Sequence, residues 1–203
     1  MMNRRAIFFS ILLSILSGCA TTDLTNSWKN PHYSGRPLTK VLVVGVSNQT
    51  SVRRSFEETF AQSLAKHGVQ AIPSYTLIPG DGQIAEDTLQ KAVEQAGADG
   101  VLITRMVDRQ TEISVSPASS APPSYDMHRQ YYGYYTGAWS GYYEPQTVQA
   151  TEYIVAETTL FRADMPDPVW SGTSRTVRPG DVRKATEGFA KVMISAMRKK
   201  GLI

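Results

Sequence analysis

Lys40 to Ser47 reads KVLVVGVS, with no polar side chain between Val41 and Val46. Such a run forms a strand only if both of its faces are buried, which requires other elements packed above and below it. Gly100 to Val107, GVLITRMV, has the same two-sided character, and Val69 to Tyr75 reads as another short strand. Helical patterns lie between these runs. From Val52 to His67, Val52, Phe56, Phe60 and Leu64 recur four apart as one apolar stripe, with Gly68 placed to end the helix. From Ala85 to Ala96, Leu89, Ala92, Val93 and Ala96 form the inward face, and Gly97 is the cap. Three strands alternating with two helices require right-handed parallel crossovers.

The pattern changes after residue 116. Val148 to Arg162 and Val169 to Val177 alternate as half-buried strands, joined by a turn over 164–168. Asp181 is placed as the N-cap of a last helix, with Ala185, Phe189, Val192, Met193 and Ala196 inward. Lys199 and Lys200 sit at its C-terminal end, where the helix dipole favours cations. The expected fold class is α/β, with a single mixed sheet of about five strands in the order βαβαβ then ββα and helices packed on it.

The N-terminus has the three parts of an export signal. Arg4 and Arg5 precede an apolar run from Ala6 to Leu16, which Leu16-Ser-Gly-Cys19 closes. The run is too short to span a hydrocarbon core of about 30 Å as a helix rising about 1.5 Å per residue. The LSGC sequence resembles the lipobox of bacterial lipoproteins. That resemblance implies cleavage before Cys19, acylation of its thiol and a membrane anchor. By the sorting pattern of the enterobacterial lipoproteins that this sequence resembles, Ala20 in place of aspartate implies the periplasmic face of the outer membrane. The expected organisation is a signal peptide over 1–18, the lipidated cysteine and a tether over 19–38, and a periplasmic domain over 39–203. The tether reading rests on a run rich in threonine, asparagine, proline and glycine, in which Trp28 and Tyr33 are expected to pack onto the domain.

Cys19 is the only cysteine, so the domain has no disulfide and depends on its core. The formal charge of +3 includes Arg4 and Arg5; residues 1–18 carry no acid, so cleavage leaves 3 − 2 = +1. A near-neutral domain lacks the basic footprint of a nucleic-acid binder.

Chemistry-bearing motifs are absent. The chain has no GxxxxGK[ST], no GxGxxG and no HExxH. Gly137-Ala-Trp-Ser140-Gly141 has the wrong spacing for a nucleophile elbow. His32, His67 and His128 are separated from one another and from acidic clusters, so no metal site, catalytic residue or cofactor is expected. Arg53, Arg54, Glu57 and Glu58 form two opposite-charge i,i+4 pairs and read as a solvated helix face. Asp99 and Asp108 flank the third strand and read as turn and capping residues.

Residues 117–146 are the unusual feature. Tyr125, Tyr131, Tyr132, Tyr134, Tyr135, Tyr142 and Tyr143 cluster there with Trp139, interleaved with Gly133, Gly137 and Gly141. Flat amphipathic rings on an adaptable backbone are the chemistry of binding surfaces, and a long loop in a compact domain is usually functional or disordered. Three readings stand beside one another: recognition of an envelope protein or peptidoglycan, packing over the sheet, and low-complexity disorder. For recognition the candidate residues are Tyr131, Tyr132, Tyr134, Tyr135, Trp139, Tyr142 and Tyr143. A hydrolase acting on peptidoglycan or glycans usually needs two facing carboxylates, and the stretch offers only Asp126 and Glu144.

Asn26-Ser-Trp-Lys29, KVLVVGVS, Val52-Arg-Arg-Ser-Phe-Glu57, Gly68-Val-Gln-Ala-Ile-Pro-Ser-Tyr75, Gly97-Ala-Asp-Gly100 and Gly141-Tyr-Tyr-Glu-Pro145 occur in this order. Together they resemble a family of proteobacterial lipoproteins classed as a domain of unknown function, across nearly the whole of 19–203. The topology also resembles the amino-terminal domain of TolB, a fold shared by lipoprotein activators of penicillin-binding proteins. That resemblance implies a non-catalytic lipoprotein that binds an envelope partner. The rival expectation is a structural or stress-related envelope lipoprotein without a specific partner.

The lipobox generates a direct test. Cys19→Ser is expected to abolish incorporation of radiolabelled palmitate and to leave the chain unprocessed or soluble; label retained in the variant would refute the assignment.

Overall fold

A computed structural model describes residues 22–80, 82–116, 131, 135, 139, 147–178 and 180–203. Strands β1 (Thr22–Lys29), β2 (Lys40–Val46), β3 (Gln70–Pro73), β4 (Gly100–Ser116), β5 (Thr147–Arg162) and β6 (Pro168–Val177) form one mixed sheet in the order β1-β6-β5-β4-β2-β3. Helices α1 (Thr50–Ala65), α2 (Glu86–Ala96) and α3 (Val182–Lys199) pack on it. β2 pairs in parallel with both β3 and β4, and the other neighbours are antiparallel.

The two-sided burial of β2 is met as its sequence requires. Val41 and Val43 face a core with Phe60 and Leu64 of α1, Phe189, Met193 and Met197 of α3, and Trp170 of β6. Leu42 and Val44 face a second, smaller core with Ala92 and Ala96 of α2. The chain crosses from β2 to β3 on one side and from β3 to β4 on the other, which places α1 and α2 on opposite faces. Gly97 caps α2 at φ +58°, the left-handed conformation that glycine adopts without a Cβ clash. The Asp181 carboxylate accepts from the backbone N–H of Arg183 at 2.8 Å and Lys184 at 3.4 Å, the N-cap expected of it.

Two sequence expectations are corrected. Residues 22–29, placed in the tether by composition, form edge strand β1 against β6, from Thr22↔Thr176 to Lys29↔Trp170. Polar alternation suits an edge strand with one wet face, and turn-rich composition does not distinguish it from a linker. Of the two aromatic residues expected to pack from 19–38, Tyr33 is buried, whereas Trp28 is 46% exposed. The second correction concerns β4, expected to end at Val107 and continuing to Ser116 after a bulge between Met106 and Asp108. Beyond the bulge its side chains are exposed, so the two-sided apolar signal that defines its first half is missing.

Asp99 ties the turn before β4 to the start of β2. Its carboxylate accepts from Thr39 N at 2.9 Å, Thr39 Oγ1 at 2.9 Å and Lys40 N at 2.9 Å. Partial burial pushes this carboxyl up, but the donated hydrogen bonds and nearby Arg36 outweigh burial and hold it below the usual carboxylate range. A depressed native value stabilises the fold above the unfolded value, near about pH 4 for aspartate. That contribution disappears as pH falls through the native value. Asp99→Ala is therefore expected to cost about 1–2 kcal/mol at pH 7. In urea melts, the gap between variant and parent should close as pH is lowered below about 4; a gap that does not depend on pH would contradict this role.

Candidate functional site

β4 and β5 pair from Gly100↔Arg162 at one end of the sheet to Ser116↔Thr147 at the other. β6 stops at Val177, opposite Tyr153, and β2 stops at Val46, opposite Arg105. From Thr111 and Glu152 onward the pair is a two-stranded arm beyond the end of the sheet body. Its register separates two faces. Ile113↔Ala150 and Val115↔Val148 share one, and Glu112↔Thr151 and Ser114↔Gln149 share the other. Ile113 is 66% exposed, Val115 51% and Val148 62%. The apolar face lies on the side of the sheet that α1 and α3 cover lower down, and neither helix extends over it.

The chain joining the arm's two ends carries the aromatic cluster. Tyr131, Tyr135 and Trp139 are helical and four apart, so they share one face. They do not form the structureless loop that glycine and proline content implies. Tyr131 is 92% exposed, and the Tyr135 and Trp139 rings meet edge-on with centroids 6.1 Å apart. Neither core cluster includes any of the three. Tyr132, Tyr134, Tyr142, Tyr143, Asp126, His128 and Glu144 lie outside the described residues, as does Cys19.

The arm's root is charged. Arg178 pairs with Glu152, and the Arg175 guanidinium stacks 4.0 Å from the Tyr153 ring centroid while reaching Glu112 at 3.4 Å. Arg109, Gln110, Thr111, Glu152, Tyr153, Ile154 and Arg178 line a shallow groove of about 260 Å³ there, below the roughly 300–1,000 Å³ of typical small-molecule sites. Asp108, expected as a turn residue, sits at the β4 bulge, where its carboxylate accepts from Arg109 N at 2.8 Å and Gln110 Nε2 at 3.1 Å.

Arg53 and Glu57 overturn the reading of a solvated helix face: both are buried, and only Arg54 and Glu58 of the four are exposed. Glu57 Oε1 accepts from Gly45 N at 2.9 Å, Arg53 Nε at 2.9 Å and Ser74 Oγ at 2.8 Å, and Oε2 accepts from Tyr75 N at 2.8 Å. Arg53 spends its remaining nitrogens on Gly80 O and Ser74 Oγ, each at 2.9 Å. The buried stripe of α1 is thus Arg53, Glu57, Phe60, Ala61 and Leu64. The available signal was an ion pair prolonging an apolar stripe, easily taken for a surface pair. With both groups fully engaged, the cluster leaves no acid or base open to a substrate; it fastens α1 to the end of β2 and the turn after β3. Among the described residues no group of histidine, cysteine, aspartate and glutamate is placed to hold a metal ion. No helix among them is long and apolar enough to cross a membrane.

No protein-family model matches the chain, and no curated protein matches its sequence. The lipoprotein-domain resemblance drawn from small motifs therefore has no family model behind it. Solved structures align with most of the chain at low identity. The PelC dodecamer of Paraburkholderia phytofirmans is 14% identical, with a TM-score of 0.45 over 85% of this chain and 95% of that one. The lipoprotein GNA1162 of Neisseria meningitidis is 16% identical, with a TM-score of 0.40 over 80% of this chain and 96% of that one.

The Glu57 cluster yields a stability test. Removing one partner strands a buried charge, so Glu57→Ala is expected to cost about 3–5 kcal/mol. Replacing both charges, as Arg53→Met with Glu57→Leu, should recover part of that loss. Urea denaturation of the two variants measures it, and a double variant less stable than Glu57→Ala would oppose this account.

Proposed function

We propose that this protein is a non-catalytic bacterial lipoprotein. Cys19 anchors it to the periplasmic face of the outer membrane, and its domain engages an envelope partner through the β4–β5 arm and the aromatic residues beyond it. The observation that carries this reading is the arm itself. It exposes Ile113, Val115 and Val148 on one face, outside the sheet body. A two-stranded ribbon is marginally stable by itself in water and usually depends on packing against something else. Aromatic side chains exposed together at one helical spacing support the same reading, because such anchors carry much of the energy of a binding surface. The export signal, the lipobox and Ala20 support the anchor and its membrane. The absence of catalytic motifs from the sequence and the saturated Glu57 cluster support a role in binding.

Photo-crosslinking in intact cells tests the proposal. A photoreactive residue at Tyr131, Tyr135 or Trp139 is expected to form adducts with an envelope protein, glycan or lipid. The same residue at Lys66, exposed at the opposite end of α1, should form none. Equal yields from both ends would overturn the proposal.

A further inference from the structure

β1 decides which end of the domain faces its anchor. It runs antiparallel to β6, so Thr22 lies level with Thr176, Ile154 and Arg109. The chain before Thr22 therefore leaves from the end of the sheet from which the arm projects. Cys19 is three residues away, and an extended chain covers at most about 3.6 Å per residue, so the lipidated residue lies within roughly 11 Å of Thr22. β4 continues past that level for seven further residues, Gln110 to Ser116, or roughly 23 Å at about 3.3 Å per residue. Sheet twist turns each strand about 20–25° from its neighbour, so the two steps from β1 to β5 rotate the arm by roughly 50°. More than half of its length still runs in the direction in which the chain departs. The anchor is too short to hold the arm clear of the surface that carries the lipid.

We infer that the apolar face of the β4–β5 arm, Ile113, Val115 and Val148, rests in the interfacial layer of the same phospholipid bilayer that holds the Cys19 anchor. The partner of the arm is then a lipid surface, and this inference rests on the anchor proposed above. The side chains fit that occupant. One face of the arm is apolar and exposed, while the opposite face carries Glu112, Thr151, Ser114 and Gln149. Arg109 stands exposed at the root of the apolar face, level with Thr22, where lipid phosphates would meet it. The chain linking the arm's ends carries exposed Tyr131, Tyr135 and Trp139, and tyrosine and tryptophan favour the membrane–water boundary. A second attachment beside an acyl anchor also fixes the domain's orientation, which a flexible lipid alone does not.

The test uses the full lipidated protein. Acylation consumes the thiol of Cys19, so a cysteine introduced at Ile113, Val115, Val148 or Lys66 is the one thiol left for an environment-sensitive fluorophore. Each labelled protein is reconstituted into vesicles of phosphatidylethanolamine and phosphatidylglycerol containing a spin-labelled phospholipid quencher. The three arm positions should blue-shift and lose most of their intensity to the quencher, while Lys66 keeps the spectrum of the detergent-free aqueous label. Protein that floats with the vesicles while its arm labels stay as aqueous as Lys66 would overturn the inference and leave the anchor standing. Arm labels that are shielded but unquenched would overturn it in favour of a protein cover. Unacylated Cys19 in the mass spectrum, with no flotation, would overturn the anchor and the inference together.

Discussion

Strand β2 is enclosed on both faces, by α1 and α3 over Val41 and Val43 and by α2 near Leu42 and Val44. A strand with no wet face needs a layer on each side. The crossovers on either side of β3 supply those layers, α1 on one face and α2 on the other. The larger core forms where two helices lie side by side, with Phe56, Phe60 and Phe189 in mutual ring contact at 5.7 to 6.0 Å. Around this centre the antiparallel strands can continue outward with progressively less cover. The far strand, β1, is mostly exposed.

That gradient of cover separates a stable body from a projecting arm. Up to Thr104 and Thr158, whose hydroxyls lie 3.0 Å apart in a buried contact, β4 and β5 belong to the core. Past the bulge they hold each other by backbone hydrogen bonds, and Ile113 and Val115 are exposed. Apolar side chains scattered singly on a surface need no explanation. Apolar side chains aligned on one face of a ribbon that leaves the body, next to a run of aromatics, are a different case. The direction of the arm matters as much as its composition, because antiparallel pairing of β1 brings the N-terminal exit to the same end.

The Arg53–Glu57 pair shows the opposite use of polar groups. A buried ion pair is weak evidence of net stabilisation, since desolvation opposes the Coulomb attraction. Here both partners are also hydrogen-bonded to backbone and to Ser74. The pair therefore specifies how the start of α1 meets the end of β2, where Glu57 accepts the Gly45 N–H. Gly45 belongs to the same arrangement: a Cβ there would come within 3.0 Å of the Phe56 ring.

Much of the body was legible in the sequence because local pattern and tertiary burial agree there. KVLVVGVS, the apolar stripes of α1, α2 and α3, Gly97 and the Asp181 cap each carry their structural role in their own residue types. The expectation of a lipobox at 16–19 rests on sequence alone, and those residues lie outside the described part of the structure. Three features were decided only by tertiary structure. Residues 22–29 become a strand because β6 offers an unpaired edge, a condition that lies almost 150 residues away in the chain. Arg53 and Glu57 become buried because Ser74, Gly45 and Gly80 converge on them, turning what spacing describes as a surface pair into a junction. β4 continues to Ser116 because β5 pairs with it, even though no core covers that length. Periodicity reports burial, and an exposed ribbon held by backbone hydrogen bonds to a distant partner leaves almost no trace in it.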